Sequence, residues 1–490
     1  MTALLKLSPV FVMAGLMLSG MDILLAAPIA FVCACCAAMI TERCTFDELL
    51  NAALDNLKNF LLVFLILEAA YAVAECFMAT GVAAAIINIA LSLGLTAKFV
   101  AVAGFLVTSL LSVATGTSWG TFAACAPIFL WLNHIVGGST MLTIGAIAGG
   151  SCFGDNIGLI SDTTVVSCGM QNVRIVDRMR TQTAWAALCL MLSVAAFYTA
   201  GVLMKLPDTE GSAAAAIQQI PQSVWDVLAQ KRPAAVTLLR QVQSGVPFYM
   251  VLPLLIVLVL AVRGTNTLIC LGAGILSSGV MGLAAGTVAG TGEFLKLVRD
   301  GASAAGSWTI AMMLWVGAFG GVMRRMNAFD PIASAIVKMV GKVRQLLFCN
   351  ALLCLAGNAA LADEMAQIVT ISPIIRDMTE KAVVGSEKDM YRLALRNATY
   401  AGAMGVLGSQ LIPWHCYMGF FTGIAASVYP LAAGTVTVSS IISHNYFAMI
   451  AVGSILFFTW TGLDRYIPYF AVPEEPEVRL RRSAAVGAAG

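Results

Sequence analysis

Charged side chains are scarce in this chain. Asp, Glu, Lys and Arg together make up 11% of its 490 residues, where a soluble globular chain carries about 25%, so there is too little polar surface to cover a water-facing fold. Histidine is scarcer still: the three residues are His134, His415 and His444, and no HExxH or comparable spacing relates them, which speaks against metal-dependent catalysis. The net charge of +2, with no basic stripe interleaved with aromatics, argues against nucleic acid as a partner. No segment alternates with period two over the ten or so residues of a transmembrane β-strand. Cysteine is plentiful, at 13 residues, but it sits inside apolar stretches, as at Cys33, Cys35, Cys36 and Cys189, where it behaves as a small hydrophobe.

What the chain does have is hydrophobic length: 59% of residues are hydrophobic. Leu16 to Ile40, Phe60 to Ala74, Ala184 to Met204 and Val246 to Val262 each run with little or no charge, and a helix needs about 20 such residues to cross the hydrocarbon layer. The expected fold is therefore all-α: a polytopic helical membrane protein in contact with the lipid bilayer. Met1 to Ser8 lacks the polar region and cleavage site of a signal peptide and reads as the start of the first span. Stretches at 120–132, 140–153, 331–340 and 397–410 are too short to cross alone and are expected as halves of broken helices or re-entrant hairpins. Ten to thirteen elements should cross. Residues 41–59, which carry Glu42, Arg43, Asp47, Glu48, Asp55 and Lys58, suggest a short interfacial helix. The hydrophilic stretch at 205–245 divides the chain into a first transmembrane half, 1–204, and a second, 246–462, ahead of a polar tail at 463–490. Arg174, Arg178 and Arg180 read as a loop on the cytoplasmic side, together with Arg479, Arg481 and Arg482.

Polar residues inside such apolar sequence mark cavities, pathways or ion sites. The richest stretch is Gly149 to Cys168, GGSCFGDNIGLISDTTVVSC. Asp155 and Asp162 are seven apart and would share one face of a continuous helix, but Gly149, Gly150, Gly154 and Gly158 invite a break. A break would set backbone groups beside two carboxylates, with Asn156, Ser161, Thr163 and Thr164 adding oxygens, the kind of cage that a hard cation such as sodium requires. The plain alternative is an extramembrane loop. A second cluster, Ala114 to Pro127, carries Thr115, Thr117, Ser118 and Thr121 among glycines; it suits ion or substrate contact, or close packing of spans through small residues. A third, AGNAALADEM at Ala356 to Met365, places Asn358, Asp363 and Glu364 in apolar sequence and continues through Gln367, Thr370 and Ser372 to Pro373. A fourth surrounds His415, which reads as a proton relay or as a hydrogen-bonded structural residue. Glu68 and Glu75, also seven apart, could line a proton path, or Glu75 could lie at a span boundary.

Two segments, GTSWGT at Gly116 to Thr121 and FGDN followed by LISDTT at Phe153 to Thr164, resemble the NhaC family of sodium/proton antiporters within the ion-transporter superfamily, as does LIPW at Leu411 to Trp414. The resemblance implies a multi-pass carrier of a bacterial inner membrane, with two inverted-topology halves and alternating access. It implies a core site at Thr117, Ser118, Asp155, Asn156, Asp162, Thr163 and Thr164, with sodium at Asp155 and Asp162. Sodium and protons would be the coupling ions, with no other cofactor. Some members of the family exchange organic acids or move amino acids. A homodimer is common in related architectures, and nothing in this sequence requires one. His415 stands where the family often has asparagine, and Asn397 to Tyr400 stand where an acidic pair is common.

The functional expectation is a secondary active transporter, a sodium/proton antiporter in which sodium and a proton compete for Asp155 or Asp162. A carboxylate in a partly dry cavity holds a proton more readily than one in water. The alternative is a sodium-coupled carrier or exchanger of an amino acid or small carboxylate. A channel would show a filter-like repeat, and an enzyme a nucleophile with its base; neither pattern is evident.

Overall fold

The computed structural model describes all residues except 1, 20, 22, 59, 60, 93, 94, 209, 212, 232, 264, 307–309, 327–334, 337, 362, 363, 414, 416, 419, 420, 423, 424, 426–428, 430–435 and 482–490. Asp22, Asp363 and Trp414 lie outside the described residues, as do parts of the expected segment at 331–340 and of the later polar cluster.

Helices account for nearly all of the described structure. The first half runs α1 (Thr2–Leu18), α2 (Ile23–Glu42), α3 (Phe46–Lys58), α4 (Leu61–Thr80), α5 (Val82–Leu91), a two-residue strand β1 (Leu95–Thr96), α6 (Ala97–Thr115), α7 (Ser118–Ile135), α8 (Thr140–Ile157), α9 (Asp162–Gln171) and α10 (Ile175–Leu203). After β2 (Glu210–Gly211), which pairs antiparallel with β1, come α11 (Ala213–Gln218), α12 (Gln222–Lys231) and α13 (Pro233–Ser244). The second half holds α14 (Leu252–Val262), α15 (Thr267–Ala285), α16 (Thr291–Ala305), α17 (Ala311–Arg325), α18 (Val343–Leu361) and α19 (Glu364–Ala382). It continues with β3 (Val383–Gly385), α20 (Glu387–Val406), α21 (Val438–His444), α22 (Tyr446–Thr461) and β4 (Val478–Leu480), whose strand pairs antiparallel with β3.

Three of these helices are long and apolar enough to cross a membrane by length and composition: Leu24–Glu42, Ile175–Leu203 and Leu268–Ala285. A fourth is added if α21 and α22, bent by 59° at Asn445, count as one broken span. These three or four spans are counted among the described residues only, against ten to thirteen expected for the whole chain. The stretches 120–132 and 140–153, expected as halves of broken helices or re-entrant hairpins, lie in α7 and α8, each of which adjoins a chain break, and 397–406 forms the end of α20, after which the chain turns at Gly408–Leu411.

A helix is present in the 41–59 segment as α3, whose Asn56 donates to Gly317 O of α17 at 2.7 Å. Glu75, expected at a possible span boundary, lies within the single helix α4. The hydrophilic stretch at 205–245 is folded: Ile217, Ile220, Val224, Leu238 and Leu239 are buried, and Gln241 Nε2 donates to Ala79 O at 2.5 Å. Polar composition did not predict this, because a helix needs only one apolar stripe to dock. The segment Arg174 to Arg180, expected as a loop, is helical from Ile175. It forms the first turns of α10, with Arg178 fully buried.

Close approach of α6 and α8 sets the site. A Cβ on Gly154 would stand 2.0 Å from Val113 N, so only glycine lets the two backbones meet there. Ser112 Oγ, on α6, donates to Ser151 O on α8 across the same contact.

Candidate functional site

The site forms where two chain breaks abut. α6 ends at Gly116, which has φ 67°, a left-handed conformation that glycine adopts without strain. The chain re-enters helix at Ser118. α8 ends at Ile157, residues 158–161 are unwound, and α9 starts at Asp162 under a Ser161 cap that accepts from Thr164 N at 3.2 Å. A Cβ on Gly116 would lie 2.5 Å from Ile160 O, so each break packs against the other.

A helix end leaves carbonyls without intrahelical partners, and the α9 hydroxyls supply them. Asp155 O accepts from Ser161 Oγ at 2.5 Å, Thr163 Oγ1 at 2.9 Å and Thr164 Oγ1 at 3.2 Å. The Asp155 carboxylate, 2% exposed, is ringed in the same way. Oδ1 lies 2.7 Å from Ser161 Oγ and 3.1 Å from Thr163 Oγ1, whose single protons can turn to it or to Asp155 O, and Oδ2 accepts from Ser118 Oγ at 2.7 Å. The second half closes the ring with Tyr417, whose hydroxyl hydrogen-bonds Ser118 Oγ and lies 3.5 Å from Asp155 Oδ2. All of these hydrogen-bond partners are neutral hydroxyls, and a hydroxyl can turn from donor to acceptor. The ring can therefore satisfy a bare carboxylate, or offer oxygens to a cation held beside it.

The expected residues divide around this ring. Ser118, Thr163 and Thr164 join Asp155. Thr117 sits at the α6–α7 break, where its carbonyl accepts from Thr121 Oγ1 at 2.7 Å. Asp162 is half-buried, at the first turn of α9, with Oδ1 accepting from Thr163 N at 2.8 Å. Asn156 faces the other way: its carbonyl accepts from Gln182 Nε2 at 2.8 Å and from Arg178 Nη2 at 3.2 Å, and its Oδ1 lies 3.3 Å from Arg178 Nη2. Asn358 donates to the carbonyls of Met404 and Gly405 at 2.8 and 2.9 Å. His415, 2% exposed, has Nδ1 accepting from Tyr417 N at 3.2 Å and Nε2 at 3.1 Å from Asn358 Oδ1. These bonds assign the proton to Nε2 and make the ring a brace for Tyr417. Glu68 is exposed and Glu75 half-buried, both on α4.

Three further residues belong to the site. Tyr417 carries its hydroxyl; Trp119 stacks on Tyr417 at 4.7 Å between ring centroids; and Glu364, buried at the start of α19, accepts from Trp119 Nε1 at 3.3 Å. Arg178 supports it from behind, with Nη1 2.7 Å from Ser167 Oγ. A signal for Arg178 was present: Arg178, Gln182, Trp185, Cys189 and Ser193 recur at helical spacing and are all buried. Tyr417 offers no such pattern, because its part in the site depends on which half-helix faces Ser118.

A buried acid at abutting helix breaks, shared by two halves of a helical bundle, is an arrangement that secondary transporters use for ion sites. A sequence profile of the Na+/H+ antiporter family matches residues 2–202 and 150–462, and the chain belongs to that family. Over 460 residues it is 23% identical to the arginine/ornithine antiporter ArcD of Halobacterium salinarum, covering 91% of this chain and 86% of that one. It is 22% identical over 396 residues to the Na(+)/H(+) antiporter NhaC of Alkalihalophilus pseudofirmus, covering 77% and 79%. In fold it resembles the YdaH transporter of Alcanivorax borkumensis, with a TM-score of 0.55 at 12% identity over 86% of this chain and 90% of that one.

Proposed function

We propose that this multi-pass membrane protein exchanges sodium for protons by alternating access in the cytoplasmic membrane of a bacterium, with Asp155 as the carboxylate that both ions share. The observation that carries the reading is the hydroxyl ring: a buried carboxylate whose hydrogen-bond partners are Ser118, Ser161, Thr163 and Tyr417. A hard monovalent cation prefers oxygen ligands. With sodium bound, the hydroxyls turn their oxygens inward; with a proton bound, the carboxyl becomes a donor to the same ring. The two ligands exclude each other, so opening to each side in turn exchanges one for the other. No cofactor is required beyond the transported ions.

A second reading rests on the similarity to an arginine/ornithine antiporter across most of both chains: the same site carries an amino acid or small carboxylate coupled to sodium. The two separate in proteoliposomes holding an internal pH dye, with external sodium stepped across a pH series. The proposal expects a sodium-dependent pH change without any organic solute, lost in Asp155→Asn. A silent but folded wild-type protein would instead favour the solute carrier, and cross-linking in the same membranes would show whether it works as a homodimer.

A further inference from the structure

α19 carries an unusual set of polar groups between the site and one surface. Gln367 is fully buried, yet neither its Oε1 nor its Nε2 finds a good hydrogen-bond partner among the described residues; the Cys354 thiol, a weak donor, lies beside it. One turn on, Thr370 is 4% exposed and its Oγ1 is likewise unpartnered. Pro373 has no N–H to offer the carbonyl of Val369, which leaves a backbone acceptor at the same level. Buried polar groups are nearly always hydrogen-bonded to protein or water, so three such groups in succession on one helix call for water.

The surroundings supply a route for it. Val369, Thr370, Pro373 and Asp377 line one wall of a small, partly open cleft with about 20 Å³ of space for water, with Met323 and Arg324 of α17 opposite. Its narrow part has room for a water molecule. The steps from Glu364 to Gln367 to Thr370, and on to Asp377, form one row on a side that winds by about 140° around α19. Thirteen residues of helix at 1.5 Å each span about 20 Å, comparable with the distance from the middle of a bilayer to its surface. At the inner end Glu364 meets Trp119, which stacks on Tyr417 of the Asp155 ring.

We propose that this side of α19, from Asp377 through Thr370 and Gln367 to Glu364, is a hydrated access path by which the transported cation and protons reach the Asp155 site from the face that carries Arg324 and Asp377. The identity of the ions rests on the exchange reading above; the presence of water does not.

Radiolytic hydroxyl-radical footprinting of the reconstituted full-length protein, with no ion gradient, tests the path directly, because such radicals form from water and label the side chains next to it. Met323 and Cys354 are both buried from bulk solvent and should be oxidised in the wild-type protein. In Gln367→Met/Thr370→Val, which replaces the unpartnered groups by apolar ones of similar size, that labelling should fall severalfold. Thermal stability should hold or rise, since orphaned polar atoms are removed, and sodium-driven proton flux should fall at least tenfold. Thr370→Val alone gives a milder form of the same test. An unlabelled Met323 and Cys354 in the wild-type protein would overturn the path, as would a double variant that exchanges ions at the wild-type rate. A labelled wild-type protein that moves neither sodium nor protons would leave the path standing and remove the exchange reading instead.

Discussion

At the scale of single residues, the ring around Asp155 combines groups from both halves, and Tyr417 is the member on which the halves meet. Its hydroxyl bonds Ser118 and approaches Asp155, while its ring is held between Trp119 and His415, the latter stacked at 5.6 Å. Tyr417→Phe keeps the ring and removes one oxygen. Loss of a single hydrogen bond to a charged group costs about 1.5–3 kcal/mol, so the sodium concentration for half-maximal exchange should rise tenfold or more with little change in thermal unfolding. Titrating sodium against flux in the two proteins checks this. An unchanged half-saturation would place sodium away from the Tyr417 hydroxyl. Asp155, Thr163 and Thr164 could be read from the sequence because acids and hydroxyls among glycines stand out in apolar surroundings. Tyr417 could not, since an aromatic in a membrane helix is unremarkable until its neighbour across the bundle is known. Arg178 was misread for a similar reason: a basic residue near a span end resembles a loop anchor until the helix is seen to begin three residues before it, at Ile175.

At the scale of elements, the site depends on how closely α8 can lie on its neighbours. Gly154 of α8 meets the α6 backbone at Ser112 and Val113, where a Cβ would approach to 2.0 Å. Gly154→Ala therefore forces the helices apart, and overpacking of this kind costs about 1–3 kcal/mol or more. The expected result is a markedly lower melting temperature in detergent, together with loss of exchange. Gly272 of α15 is the control. A Cβ there meets nothing within 4 Å, and alanine in a helix is favoured over glycine by about 0.8–1.0 kcal/mol, so Gly272→Ala should melt at the same temperature or slightly higher. Equal losses from both changes would remove the close-packing account. The glycines were legible as break points, which holds at Gly116 and Gly158. At Gly154 the helix continues, and the glycine serves close approach. Sequence alone does not separate these uses, because both ask for a missing Cβ.

At the scale of the whole molecule, the two halves are joined differently from the parts within the second half. Between halves the hydrogen bonds include Trp119 to Glu364, Gln171 to Ser372 at 2.6 Å, and Trp185 to Ser454 at 3.0 Å, bonds that a rocking motion can exchange at modest cost. Within the second half, buried ion pairs hold the end of the chain. Asp464, fully buried, is bound by Arg344 of α18 at 2.8 Å and Arg396 of α20 at 3.1 Å, Arg344 also reaches Glu474, and β4 pairs with β3 behind them. The segment after α22 thus ties α18, α20 and α22 into one body, which polar composition alone had marked as a tail. Asp464→Asn leaves two arginines without their shared counter-charge. Breaking a buried pair by removing one partner costs about 3–5 kcal/mol, and Arg396 is nearly inaccessible to water, so salt should not relieve the loss there. If α18, α20 and α22 move as a unit during exchange, the variant should unfold at lower temperature and exchange more slowly, with sodium half-saturation unchanged because the Asp155 ring is intact. A shift in half-saturation without loss of stability would show instead that the network acts on the ion site itself.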